Sequence, residues 1–349
     1  SGYNGDQMAG ELNMESKHSL EKTAAHNADC FTTVSDVTAI ECRQLLDLMP
    51  QVVTPNGFEP NFVPTGKKYQ TQRQSARKAL LNVASKLTGK TFADDAFIVA
   101  TSGRNEYRNK GIDILLESLK RLAAEPTLDR DVLAFINVPA WVKGPRKDLQ
   151  ERLESPLHSV TALDTPVITH ELYNMDDDKA LSMMRAIGLD NNVNSRVKVI
   201  FVPCYLNGND GIFNMPYYDL LAGLDLTLFP SYYEPWGYTP LESVAFHVPA
   251  ITTDLAGFGL WVNSLKGGYS ELKDGVKVIH RSDYNYSEVA DAIKDTVAEF
   301  SALKDAEVKK IRKNAADIAE KALWKHFIKY YYEAYDIALR NAQKRLMNK

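Results

Sequence analysis

Two carboxylates, Glu234 and Glu242, flank a Trp236-Gly237-Tyr238-Thr239-Pro240 turn in the stretch FPSYYEPWGYTPLES. Thr239-Pro240-Leu241-Glu242 has the form of a capping box, with Thr239 as N-cap, Pro240 as first helical residue and Glu242 reaching back to the cap amide. On that pattern alone Glu242 reads as structural as readily as functional. The amides of Gly237, Tyr238 and Thr239 would point outward at the positive end of the helix, ready for an anion. Glu234 lies before the cap, among Tyr232, Tyr233 and Trp236. A carboxylate about 4 Å from a phosphate charge is repelled by roughly 1–4 kcal/mol at high to intermediate dielectric. Glu234 is therefore expected to point past the anion toward a neutral polyhydroxyl group, whose hydroxyls it can accept. The chemistry implied is recognition of a sugar nucleotide.

A second loop, SGRNEYRNKG (102–111), gathers Arg104, Arg108 and Lys110 between a strand and a helix. Guanidinium and ammonium groups beside a helix N-terminus make a diphosphate clamp. It is neither a Walker A loop nor a GxGxxG turn, so a solvated basic turn, with Glu106 neutralising Arg108, stays open. A third loop, PCYLNGNDG (203–211), completes the set.

All three loops follow apolar runs of strand length: 96–101, 197–203 and 224–229. Further strands are expected at 132–138, 249–253 and 276–280, with helices at 71–88, 110–123, 215–223 and 240–247. Strands apolar throughout and alternating with helices predict a parallel sheet covered on both faces. Ligands of such α/β sheets bind outside the carboxyl ends of the strands. Before this pattern, a helix at 17–29, a short strand at 30–35, a helix at 36–48 and a strand and turn at 49–60 read as the tail of a domain. Residues 54–66, rich in Pro, Gly and Asn, read as a linker. After about residue 285 three helices follow, and the aromatics of 324–343 read as packing rather than as a cofactor site.

The chain has 349 residues, 44% hydrophobic and 25% charged, with a net charge of −4. That length allows two domains, and the charge gives no bulk attraction to nucleic acid or membrane surfaces. The apolar runs are too short to span a bilayer. Cys30, Cys42 and Cys204 form no metal or disulfide pattern, so a reducing, cytoplasmic setting is expected.

FPSYYEPWGYTPLES resembles the E-x7-E signature of retaining GT-B glycosyltransferases, and EPWGYTP resembles the glycogen synthases of animals and fungi. KTAAHNADCFTTVSDVTAIE (22–41), VTPNGFEPNF (53–62), SGRNEYRNKGIDILLESL (102–119), FVPCYLN (201–207) and TTDLAGFG (252–259) resemble that family in the same order. The resemblance implies an α/β, GT-B-type fold. A Rossmann-like donor domain would occupy residues 58–323, after a remnant of an N-terminal Rossmann-like domain (1–57) and before a returning C-terminal helix (324–349). It implies a retaining transfer of glucose from UDP-glucose to the 4-hydroxyl end of an α-glucan, without metal or other cofactor. Arg104 and Lys110 would hold the diphosphate, Glu234 would face the glucosyl unit and Glu242 the ribose. The amides of Trp236, Gly237, Tyr238 and Thr239 would hold the distal phosphate, and Tyr217 or Tyr218 would stack on the uracil.

The family's Gly-rich N-terminal donor loop has no counterpart here, so the chain is expected to be a fragment inactive alone. Lys309, Lys310, Arg312 and Lys313 stand where the family carries an arginine-rich effector helix; they read as a solvated face, and no strong glucose 6-phosphate activation is expected. The alternatives are a non-catalytic nucleotide- or carbohydrate-binding remnant and a related transferase using ADP-glucose. A homo-oligomer is left open.

Overall fold

The computed structural model describes residues 2–348; Ser1 and Lys349, at the ends of the two outer expected domains, lie outside them. Helices α1 (Gly5–Glu11), α2 (Glu15–Asn27) and α3 (Asp36–Leu46) surround two short parallel strands, β1 (Thr32–Thr33) and β2 (Val52–Val53). The long helix α4 (Gly66–Thr88) leads into β3 (Phe97–Ser102), α5 (Ile112–Ala123) and β4 (Val132–Asn137). A small antiparallel pair, β5 (Val142–Pro145) with β6 (His170–Leu172), brackets α6 (Lys147–Glu154) and precedes α7 (Lys179–Ile187). Then come β7 (Val197–Val202), α8 (Tyr217–Leu221), β8 (Leu226–Leu228), α9 (Tyr238–Ala245), β9 (Ala250–Thr253), α10 (Gly257–Lys266) and β10 (Val276–Ile279). Helices α11 (Tyr286–Ser301), α12 (Asp305–Lys321) and α13 (Trp324–Met347) follow.

Six strands form one parallel sheet in the order β10-β9-β8-β3-β4-β7. Alternation along β3 sends Phe97 and Val99 to one face and Ile98 and Ala100 to the other. The first face packs on α5 and α11, the second on α4 through Leu80, Val83 and Leu87. The strand order reverses at β3: the chain builds outward through β4 and β7, then returns to β8 on its other side. The carboxyl ends of β3 and β8 therefore open a crevice at the switch point.

The basic face of α4 is structural. Arg73 and Arg77 pair with Asp225 at 2.8 and 3.0 Å, and Asp225 also accepts the Ile98 amide at 2.8 Å, fastening β8 to β3. Burial pushes the Asp225 carboxyl up, but Arg77 and Arg73 outweigh it and hold the group below the usual carboxylate range. Arg312 departs from the expected solvated face: its guanidinium donates to the Tyr69 hydroxyl at 2.6 Å. A helical charge run does not reveal that one of its members faces inward.

Residues 54–66 are packed, not free. Phe58 and Ala322, and Trp324 and Phe58, exchange backbone bonds at 3.3 and 3.2 Å, and Phe62 lies against Phe246. The aromatic helix α13 is only half covered. It buries Phe327 and Ala334, while Tyr332 and Tyr335 are exposed. Its Tyr331 hydroxyl donates to the Thr54 carbonyl at 3.2 Å, Asn341 to the Asp29 carbonyl at 2.8 Å, and Arg345 to the Asp29 carboxylate at 2.7 Å.

Candidate functional site

The switch-point crevice is two adjoining cavities. One, of about 750 Å³, is lined by Asn137, Tyr205, Asn207, Tyr217 and Glu242 among others. The second, of about 450 Å³, is lined by Asn109, Lys110, Ser231, Tyr233 and Glu234 among others. Ser102, Gly103, Arg104 and Thr239 line both, so they form the waist between them.

The waist is built by glycine chemistry. Gly237, at φ 119°, starts α9 at Tyr238, which makes Gly237 the N-cap in place of Thr239. No side-chain bond closes that cap, so the capping box expected from Thr239 and Glu242 does not form. A backbone at this φ suits glycine, and it moves the helix start to Tyr238, two residues ahead of the Pro240 start that the Thr-Pro signal predicts. Glu242 is thereby released into the larger cavity. Among the described residues, none accepts a hydrogen bond from the amides of Gly237, Tyr238 and Thr239.

The loop before α9 is pinned from behind. Glu234 donates its amide to the Leu255 carbonyl at 3.2 Å, and its carbonyl accepts from Gly257 at 3.0 Å. The Trp236 carbonyl accepts from Phe258 at 2.7 Å. The Trp236 ring is buried among Phe258, Trp261 and Phe327, and its Nε1 has no partner among the described residues. Trp236 thus anchors the loop with its side chain and is not among the residues that line either cavity.

Each expected site residue has a definite place. Glu234 and Lys110 meet directly: Lys110 Nζ donates to Glu234 Oε2, with both side chains about four-fifths shielded. The Arg104 side chain is 84% exposed and, among the described residues, its guanidinium pairs only with Glu106, at 3.4 Å, which leaves it able to reach across the waist. Burial pushes the Glu242 carboxyl up to about 7, opposed by the Tyr218 hydroxyl. Tyr218 itself is raised to about 12 by burial and by Glu242, and its ring stacks on Phe246 at 5.6 Å, away from the cavity centre. Tyr217 lines the larger cavity and shares a hydrogen bond with Ser102 Oγ at 2.8 Å; burial raises its hydroxyl well above the ordinary value. Tyr238 and Thr239 line the smaller cavity.

Two residues were missed in the sequence. Tyr205, 75% exposed, lines the larger cavity; it lies inside the FVPCYLN segment, whereas an aromatic after that segment was expected. Glu41, on α3, accepts the Tyr233 hydroxyl at 2.7 Å, so the N-terminal lobe touches the loop that carries Glu234. No local spacing could reveal that contact. His170, Cys204 and Asp210 also cluster, but the His170 ring and the Asp210 carboxylate are already engaged. The His170 ring bonds Thr169 Oγ1 and the Asp210 carbonyl, both at 2.8 Å, and the Asp210 carboxylate accepts three amides. The cluster reads as a structural knot under the larger cavity.

The arrangement can seat an elongated anion, with its charged middle at the waist and hydroxyl-bearing ends facing one carboxylate each. The family described as glycogen synthase matches residues 1–145 and 155–348. Glycogen [starch] synthase isoform 1 of Saccharomyces cerevisiae is 29% identical over 97% of this chain and 56% of its own length. The liver glycogen [starch] synthase of Homo sapiens is 33% identical over 74% of this chain and 44% of its own. The chain thus spans about half the length of these relatives. Among solved structures, sucrose-phosphate synthase from Thermosynechococcus elongatus superposes with a TM-score of 0.52 at 18% identity, covering 95% of this chain and 61% of that one. TarM from S. aureus, crystallised with UDP among other ligands, gives 0.53 at 12%, covering 92% and 46%. These likenesses place the fold among the GT-B glycosyltransferases. With the fold, the ordered loops and the family match in agreement, the chain belongs to the glycogen synthase family.

Proposed function

We propose that this chain supplies the donor-binding half of a retaining glucosyltransferase that moves glucose from UDP-glucose to the 4-hydroxyl end of an α-1,4-glucan. The observation that carries the reading is the waisted crevice, with Glu242 on one side, the Lys110–Glu234 pair on the other, and Arg104 with unpartnered α9 amides between. The nucleoside would occupy the larger cavity, its uracil between Tyr205 and Tyr217 and its ribose hydroxyls on Glu242. The diphosphate would lie at the waist, held by Arg104 and by the Gly237–Thr239 amides. The glucosyl unit would enter the smaller cavity and exchange its hydroxyls for the bond between Lys110 and Glu234.

Lys110, released from Glu234, would meet charge developing on the departing UDP, together with Arg104 and the dipole of α9. The acceptor hydroxyl would attack from the face the nucleotide leaves, and a phosphate oxygen would take its proton. These cations and amides supply the leaving-group stabilisation in this reading, which therefore invokes no metal and no second carboxylate nucleophile. We place the division between lobes near residue 58, where the chain leaves the β1–β2 lobe, and the setting in the cytoplasm. Among the described residues, no helix is long and apolar enough to cross a membrane.

Calorimetric titration with UDP, ADP and UDP-glucose tests the reading. UDP and UDP-glucose should bind and ADP more weakly. Failure of all three to bind would refute it, and preference for ADP would move the donor to ADP-glucose. Glucan elongation by this chain alone would show that it carries more than the donor half.

A further inference from the structure

The loops that carry Lys110 and Glu234 are joined by contacts neither residue makes. The Asn109 carbonyl accepts the amides of Tyr232 and Tyr233 at 2.8 and 3.3 Å. Gly111, at φ 71°, passes so close to Pro230 that a β-carbon would collide with the Pro230 carbonyl and stand 3.1 Å from Arg281 Nη1. Arg281 arrives from a third direction, just past β10. Its amide donates to Asp254 Oδ1 at 2.9 Å, which fixes its base to the sheet. Its Nη1 donates to the Pro230 carbonyl oxygen, and its guanidinium carbon lies 5.3 Å from the centre of the Tyr232 ring. Tyr232 is held in turn by a bond from its hydroxyl to Asp283.

Arg281 is only 5% exposed, yet among the described residues no carboxylate lies within ion-pair distance of it. Asp113 lines the same pocket and its charge favours the guanidinium, but without a direct ion pair that burial stays costly. Plain packing would be met by an apolar side chain. What arginine adds is a planar fork that can donate to a carbonyl while its face covers a ring, which lysine cannot do at once.

We propose that Arg281 is a positioning residue that clamps the loop after β3 to the loop after β8 and so sets Lys110 against Glu234. The inference rests on the donor-site reading above for its consequence, but not for its geometry. The clamp acts on the sugar side of the waist: Arg281 bonds Pro230 and lies against Gly111 and Tyr232, and among the described residues it forms no hydrogen bond or ion pair with those that line the larger cavity.

The test uses Arg281→Gln and Arg281→Lys in the whole chain. Hydrogen exchange reads the clamp without ligand. In Arg281→Gln the amides of Tyr232 and Tyr233 should exchange about tenfold faster, with β4 and β7 unchanged. Arg281→Lys should fall between. Titration reads the consequence: UDP affinity should stay within about twofold, while UDP-glucose affinity falls about tenfold. Unchanged exchange at both amides, or equal loss of UDP and UDP-glucose, would overturn the proposal. If the unaltered chain bound neither ligand, the donor-site reading would fail while the exchange result still decided the clamp. Should Arg281→Gln not fold, Tyr232→Leu, which removes the ring from the partly exposed side, carries the same expectations.

Discussion

Replacing Glu242 with glutamine should make the protein more stable and worse at binding nucleotide, in proportions set by pH. The carboxyl sits at about 7 against an ordinary 4.5 because burial disfavours its charge. The difference, 7 − 4.5 = 2.5 units, corresponds at about 1.4 kcal/mol per unit to roughly 3 kcal/mol. The folded state holds the proton more tightly than the unfolded state, so this stability is fully present below about pH 4.5 and is lost as pH rises through about 7. Glutamine never ionises and escapes the loss. Urea unfolding should therefore find wild type and Glu242→Gln nearly equal at pH 4.5, with the variant ahead by about 3 kcal/mol at pH 8. At pH 8 the same variant should bind UDP at least about tenfold more weakly, because a carboxylate that accepts two hydroxyls has become an amide with one accepting oxygen. A stability gap that stays flat from pH 4.5 to 8 would refute the buried-carboxyl argument. A pH-dependent gap with undiminished UDP affinity would refute the ribose assignment alone.

Tyr205→Ala should weaken UDP by about 1–3 kcal/mol of lost base stacking while leaving the melting temperature unchanged, since the side chain is largely exposed; titration and thermal scans together check this. Gly111→Ala must push Pro230 away, so UDP-glucose binding should fall more than UDP binding, and thermal scans should show a lowered melting temperature. Asp225→Asn leaves Arg73 and Arg77 facing carbonyls without their counter-charge and should cost about 3–5 kcal/mol in urea unfolding. A smaller cost would mean that the bonds Arg73 and Arg77 donate to the Ala222, Gly223 and Leu224 carbonyls suffice.

The sheet was legible because its strands are apolar on both faces, and such runs cannot be surface loops. The chemical loops were legible for a related reason: each follows one of those runs, where a parallel sheet leaves its open ends. What local pattern could not supply was competition between signals. Thr239-Pro240-Leu241-Glu242 satisfies every local rule for a capping box, yet Gly237 begins the helix first because its backbone can turn where no other residue does so cheaply. Tyr205 is not legible locally, because an exposed tyrosine at a strand end looks like any surface residue until the cavity wall is complete. Arg281 and Glu41 reach the site from distant segments, and no spacing rule connects them to it. The aromatics of α13 pack as expected at Trp324, Phe327 and Tyr330, while Tyr332 and Tyr335 stay exposed. Helical periodicity says which residues share a face, not whether anything covers that face.

The bonds between α13 and the N-terminal lobe also bear on how the chain comes to be folded. Asp29 finds its partner Arg345 at a sequence separation of 316 residues. During synthesis, β1, β2 and the helices around them emerge long before the helix that fastens them. Loop closure over such a span is slow relative to local structure. The sheet domain can complete itself from neighbouring strands while the first lobe waits, its apolar residues uncovered and open to association. Ribosome-bound chains that stop before α13 should therefore carry a protease-sensitive lobe on an already resistant sheet, and the final helix should act as the latch whose arrival ends that exposure.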